Sequence, residues 1–140
     1  MIYIYRLANL LFRLRIPTLP WILKIINRVL FSVSLPPSVQ VGKNVTFGYQ
    51  GLGIVVHKNA RLGSNIIISP NVVIGGKGKG QPGAPVIEDG VVIGAGACVL
   101  GPIRIGRGAV IGANSVVLTN VAPHTTVVGI PAREIGQKAN

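Results

Sequence analysis

A chain of 140 residues has the length of one domain, and a hydrophobic content of 49% excludes an intrinsically disordered chain. Its 19 glycines and 10 prolines stand beside three phenylalanines, three tyrosines and one tryptophan, which excludes an aromatic-rich core and asks for a repetitive backbone. Fourteen lysines and arginines against Glu88, Asp89 and Glu134 give a net charge of +11, so an anionic ligand or surface is the expected partner, phosphate first among them. Cys98 is alone and can form neither an internal disulfide nor, by itself, a zinc site, which points to a reducing compartment, the cytoplasm. Charges interrupt every apolar run before the roughly 18 residues that a membrane span needs, and no small-residue cleavage site follows one.

Residues 1–34 form a basic helical arm. Ile4, Leu7, Leu11 and Leu14 recur at helical spacing over residues 2–15, with Arg6 and Arg13 on another side. Pro17 and Pro20 end that helix, and Pro20 suits the first turn of a second one running from Trp21 to about Phe31. In this second helix Lys24, Asn27 and Arg28 make a narrow polar strip beside Ile22, Ile25, Ile26 and Val29. Such a basic, strongly apolar pair reads either as a peripheral element on an anionic membrane or as packing against neighbouring subunits.

From Val41 onward a hydrophobic residue returns every six positions. The series is Val41 and Phe47; then Val56, Leu62, Ile68 and Ile74; then Ile87, Ile93, Val99, Ile105, Ile111 and Val117. Glycine follows in seven of these twelve hexads, as at Gly42, Gly63, Gly94 and Gly106. Six residues are too few for a helix and too sharply punctuated for a long strand, so each unit is a short strand and a turn, three to a triangular coil. The hexads resemble the [LIV]-G-x4 repeats of hexapeptide acyltransferases over about residues 36–134. That resemblance implies a mainly β fold, a left-handed parallel β-helix, and a homotrimer. Twelve hexads also make a prism of only about four coils, whose apolar faces need covering. The β-helix is placed at residues 35–121, with a tail at 122–140.

Two insertions break the rhythm: three extra residues within Gly48 to Gly53, and seven within the loop at residues 75–85. Three hexads per coil put Val56, Ile74, Val99 and Val117 in one column. His57 then lies one strand spacing, about 4.8 Å, beneath the root of the larger loop. His57 stands where most hexads carry glycine, so its imidazole is expected to project outward into a groove, where it can accept a proton near neutral pH. The alternative is a histidine tolerated at a turn; the overhanging loop and the lack of another nearby base favour catalysis. His124, beyond the last hexad, reads as a turn residue, and two histidines fall short of a three-histidine metal site, so no metal is expected. The run from Gly75 through Gly76, Lys77, Gly78, Lys79 and Gly80 lacks P-loop spacing. Its backbone amides and lysines suit a phosphate-bearing ligand, or else a solvated loop. Nucleic acid is not an expected partner, because no aromatic platform accompanies the charge outside the arm.

The blocks Gly53-Ile54-Val55-Val56, Ile74-Gly75-Gly76-Lys77-Gly78-Lys79, Ile93-Gly94-Ala95-Gly96-Ala97, Pro123-His124-Thr125-Thr126 and Gly129-Ile130-Pro131-Ala132-Arg133 resemble serine acetyltransferases in kind and order. The resemblance implies acetyl-CoA in a groove between two subunits, touching backbone near Gly75, Gly76, Ala95 and Ala113, with Arg133 or Lys138 near its phosphates; Lys77 and Lys79 join these as cofactor candidates from the charge of the loop itself. The family's upstream histidine falls at Tyr49 or Gln50, its loop histidine at Ala84, and the loop arginine for an amino-acid carboxylate at Gly83. These departures count against serine, and the short helical arm and His57, directly after Ile54-Val55-Val56, resemble the small acetyltransferases of surface-polysaccharide pathways. The sequence reading is therefore an acetyl-CoA-dependent O-acetyltransferase acting on a sugar hydroxyl, on a sugar or lipid-linked glycan. His57 is the general base, and Tyr49 and Gln50 either orient the acceptor or serve only as a loop. Serine O-acetyltransferase and a catalytically silent hexapeptide-repeat binding protein are the alternatives.

Overall fold

The computed structural model of the chain describes residues 1–80 and 82–136. Strands of two or three residues alternate with tight corners, and three parallel stacks result. The first holds β1 (Gln40–Val41), β4 (Arg61–Leu62), β7 (Val86–Ile87) and β10 (Arg104–Ile105). The second holds β2 (Thr46–Phe47), β5 (Ile67–Ile68), β8 (Val92–Ile93), β11 (Val110–Ile111), β13 (Thr126–Val128) and an antiparallel β14 (Arg133–Glu134). The third holds β3 (Val55–Val56), β6 (Val73–Gly75), β9 (Cys98–Leu100) and β12 (Val116–Val117). In almost every strand the first residue faces out and the second is buried, so the six-residue rhythm is the period-2 alternation of a strand interrupted by a corner.

The registers place Val56 opposite Ile74, Ile74 opposite Val99, and Val99 opposite Val117, as the hexad count requires. Phe47, Ile68, Ile93, Ile111 and Val127 form a second column, and Val41, Leu62, Ile87, Ile105 and Val121 a third. The core is these columns and the small residues between them, Ala60, Val91, Ala97, Ala109 and Ser115. Val127 adds a rung beyond the last hexad of the sequence reading, because the step from Val117 to Val121 shortens before a full six-residue step resumes. Glycine is required where coils touch at a corner: a Cβ on Gly94 would lie 2.6 Å from the Ala113 nitrogen. Two of the three acids also bind the corners. Glu88 accepts hydrogen bonds from the Arg104 guanidinium and, at 2.8 Å, from the Arg107 N–H, which hold its carboxyl below the usual range; Asp89 accepts from the Ser64 N–H at 2.8 Å.

The arm folds as helices α1 (Ile2–Arg13) and α2 (Leu19–Phe31). Neither is long and apolar enough to cross a membrane. The arm is fastened to the start of the prism by polar groups of α1. The buried Tyr5 hydroxyl donates to the Val39 carbonyl, Asn9 Nδ2 donates to Pro37 O at 2.8 Å, and Arg6 donates to the carbonyls of Val41, at 2.6 Å, and Gly42. Burial pushes the Tyr5 phenol from its ordinary 10.0 up to about 12. Folded Tyr5 therefore keeps its proton after the unfolded phenol has lost it. Its contribution, on the order of 2 kcal/mol, is complete below pH 10 and is lost as pH rises toward about 12. Urea unfolding of wild type and Tyr5→Phe on either side of this window checks it: the alkaline loss is expected to be smaller in the variant by that amount.

Candidate active site

The corner after the third stack turns β3 into the next coil at His57. The His57 N–H donates to Ile74 O at 2.7 Å, and the Ala60 N–H donates back to His57 O at 2.9 Å, so the ring is held at the prism edge on two backbone bonds. One coil above, the loop at residues 75–85 leaves β6 and folds back over the same edge. His57, Lys58, Asn59, Gly76, Gly78, Lys79, Pro82 and Gly83 enclose an open crevice of about 390 Å³. Gly76 lies directly beside the ring. A Cβ at Gly76 would sit 3.8 Å from His57 Nε2 and 3.4 Å from the Gly83 carbonyl oxygen. A larger side chain there would occupy the space beside the imidazole.

The Asn59 backbone N–H donates to His57 Nδ1 at 3.2 Å. A backbone N–H cannot accept, so in the neutral ring Nδ1 carries the lone pair and Nε2 the proton. The nitrogen beside Gly76 is then a hydrogen-bond donor. The general-base expectation requires the opposite tautomer, with an unprotonated Nε2 toward the crevice, and this contact disfavours it. Lys58 and Asn59 follow His57 directly but were not singled out in the sequence. Their part comes from the turn, which puts Lys58 on the crevice rim and the Asn59 N–H on the His57 ring.

The other sequence-predicted residues fall at several sites. Gly75 ends β6 and accepts from the Gly101 N–H at 2.9 Å; Lys77 lies against Gly101, whereas Lys79 lines the crevice. Ala95 and Ala113 stack on the edge that follows the second stack, where the Asn114 N–H donates to Ala95 O at 2.8 Å, and neither lines the crevice. Tyr49 and Gln50 sit at the foot of that second edge, in a 3-10 turn (Gly48–Gly51) at φ +49 and +59, with Tyr49 82% exposed. Gln50 Oε1 accepts from the chain's terminal amine at 3.4 Å, so it is turned toward the arm and not toward His57. Arg133 lies in β14 at the far end of the prism, beside Thr119, Asn120 and Val127. Lys138 lies outside the described residues. Ala84 packs on the core. His124 is a turn residue at φ +56 whose N–H donates to Arg107 O at 2.8 Å. Among the described residues no three metal-ligating side chains cluster.

Residues 84–119 match the family model described as bacterial transferase hexapeptide (six repeats). The chain carries a hexapeptide-repeat transferase domain. Beyond that match, the hexapeptide-repeat chain is 46% identical over 110 residues to the serine acetyltransferase of Escherichia coli (strain K12), which is 78% of this chain and 40% of that protein. It superposes on a soybean serine acetyltransferase complexed with serine at TM-score 0.85 and 41% identity, covering 94% of this chain and 54% of that one. A Brucella abortus serine acetyltransferase in complex with coenzyme A gives TM-score 0.89 at 34% identity, covering 99% and 55%. The fold is thus the parallel β-helix that the family resemblance implied. The chain spans about half the length of these relatives.

These likenesses overturn the sugar O-acetyltransferase reading and its place in polysaccharide synthesis. That reading rested on the departures at Tyr49 or Gln50, Gly83 and Ala84, on His57 directly after the Ile-Val-Val block, and on the short arm. The match to serine acetyltransferases extends over 99% of the chain, so the arm is part of the shared fold and does not mark a different group.

Proposed function

We propose that the chain is an acetyl-CoA-dependent O-acetyltransferase whose acceptor is the hydroxyl of serine, working as a homotrimer. The observation that carries this is the crevice at His57, in a fold that superposes on a serine acetyltransferase complexed with serine over 94% of its length. The residues present suit the acyl donor: Gly76, Gly78 and Gly83 offer a wall without side chains, and the Lys79 ammonium lies beside it for a phosphate. The two groups of predicted contacts lie on different edges of one prism, Gly75 and Gly76 on one, Ala95 and Ala113 on the other. A neighbouring copy packed on the face that exposes Ile67 and Val110 would bring such edges together, and that face is apolar enough to need covering.

The transfer is direct. Serine Oγ forms a bond to the thioester carbonyl carbon, the carbon–sulfur bond breaks, and the hydroxyl proton ends on the departing CoA sulfur. His57 Nε2–H donates to the carbonyl oxygen as negative charge gathers there, the group for which a preorganised donor does most. Lys58, on the rim of the same crevice, takes the serine carboxylate in place of an arginine. Lys58→Ala is therefore expected to raise KM for serine about tenfold with little change in kcat, because this contact is made equally in the ground and transition states. Steady-state kinetics with varied serine checks it.

The deciding assay follows free-thiol release from acetyl-CoA with serine as acceptor. Serine-dependent turnover supports the proposal. Retained acetyl-CoA binding without turnover would replace it with the silent binding protein, a reading favoured by Tyr49, Gln50 and Ala84 at the family's histidine positions.

A further inference from the structure

Helix α2 hides little of its apolar surface. Its buried residues are Pro20 and Asn27, while Trp21, Ile22, Ile25, Ile26, Val29 and Leu30 are exposed, Val29 to 76%. At 100° per residue these six span about half the helix circumference, with Lys24 and Arg28 along one border. Helix α1 and its C-cap add an exposed stripe of Tyr3, Leu7, Leu10 and Leu14. Where the two helices meet, Phe12 and Trp21 stack edge to face at 6.5 Å, and they share an open crevice of about 490 Å³ with Ile16, Pro17, Arg13 and Arg15. The tip of the arm thus joins an aromatic pair to two guanidinium groups.

The charge on this surface is one-sided. The first acidic residue of the chain is Glu88, and among the described residues the ion pairs are Arg104 with Glu88 and Arg107 with Asp89, both on the prism. Arg6 donates to backbone carbonyls, which leaves Arg13, Arg15, Lys24 and Arg28 without a carboxylate partner. A second copy docking face to face through this same surface would bring four cations against four more, and like charges in contact oppose such a pairing. A surface of lipid phosphates would accept the cations at headgroup level, and the apolar arc and Trp21 could then enter the acyl boundary.

We infer that residues 1–34 dock the protein on anionic lipid bilayers, α2 lying in the interface plane with Arg13, Arg15, Lys24 and Arg28 on lipid phosphates. The surface is separate from the crevice at His57, so the inference does not depend on the reaction.

Trp21 is the one tryptophan of the chain and reports the event directly. The full-length protein is titrated with vesicles of phosphatidylglycerol and phosphatidylcholine, with vesicles of phosphatidylcholine alone, and with soluble glycerol phosphate. Tryptophan emission and co-sedimentation are read together. A blue shift and co-sedimentation with the anionic vesicles alone, weakened by salt, are expected. The double variant Arg13→Glu, Arg15→Glu is expected to lower partitioning about tenfold or more. Ile25→Glu, on the exposed arc, is expected to abolish the blue shift while far-UV circular dichroism stays unchanged. Equal binding to both vesicle types, or a shift with glycerol phosphate and no co-sedimentation, would overturn the inference. So would absent vesicle binding with self-association that Ile25→Glu removes, which would make the face a contact between copies.

Discussion

Replacing His57 with alanine is expected to lower kcat about 10²–10³-fold, with KM for acetyl-CoA nearly unchanged. The size follows from removing one preorganised donor from a site where charge develops on a carbonyl oxygen. The split follows because that donor acts in the transition state far more than in the ground state. A glutamine at 57 separates the two roles open to an imidazole. Its amide keeps an N–H donor but cannot take up a proton, so His57→Gln is expected to recover a substantial part of the loss. A variant His57→Gln as inactive as His57→Ala would restore the general-base role.

Ile93→Ala is the substitution expected to cost most in stability, about 2–5 kcal/mol, or on the order of 10 °C in Tm. Ile93 is fully buried in the middle of the second column, between Ile68 and Ile111, and is tied on both sides by backbone bonds: the Ser69 N–H donates to Ile93 O at 3.0 Å, and the Gly94 N–H donates to Ile111 O at 2.8 Å. Those bonds keep the coils from collapsing into the space left, so the cavity persists. Its neighbour Val92 faces outward, and Val92→Ala is the control, expected to cost a fraction as much. Chemical unfolding of the three proteins at one protein concentration measures both values. Equal effects at the two positions would contradict the inward and outward assignment.

The columns were legible in the sequence because a coil of three hexads repeats its inward residues by count alone. Val56, Ile74, Val99 and Val117 needed no knowledge of contacts. The helices were legible from their spacing and from Pro17 and Pro20, with ends displaced by two residues or fewer. The place of His57 under the loop followed from the same count. What spacing could not carry was conformation inside the insertions. Tyr49 and Gln50 adopt positive φ, which swings Tyr49 into solvent and Gln50 against the amino terminus. Nor could it carry the ring's tautomer, which depends on one N–H two residues later. Ala95 and Ala113 share a block pattern with Gly75 and Gly76 but stand on another edge, a distinction that appears only once the coil is closed. The acceptor was not legible because single positions, Tyr49 or Gln50, His57, Gly83 and Ala84, and the length of the arm vary on a backbone that matches serine acetyltransferases along nearly its whole length.

The central claim is that acyl transfer takes place in the crevice where the loop at residues 75–85 covers His57. A crystal structure of the protein with coenzyme A bound tests it most directly. The thiol end of the pantetheine arm is expected beside Gly76, within about 3–4 Å of His57 Nε2, with a phosphate near Lys79. Coenzyme A ordered elsewhere, with its sulfur out of reach of the His57 ring, would contradict it.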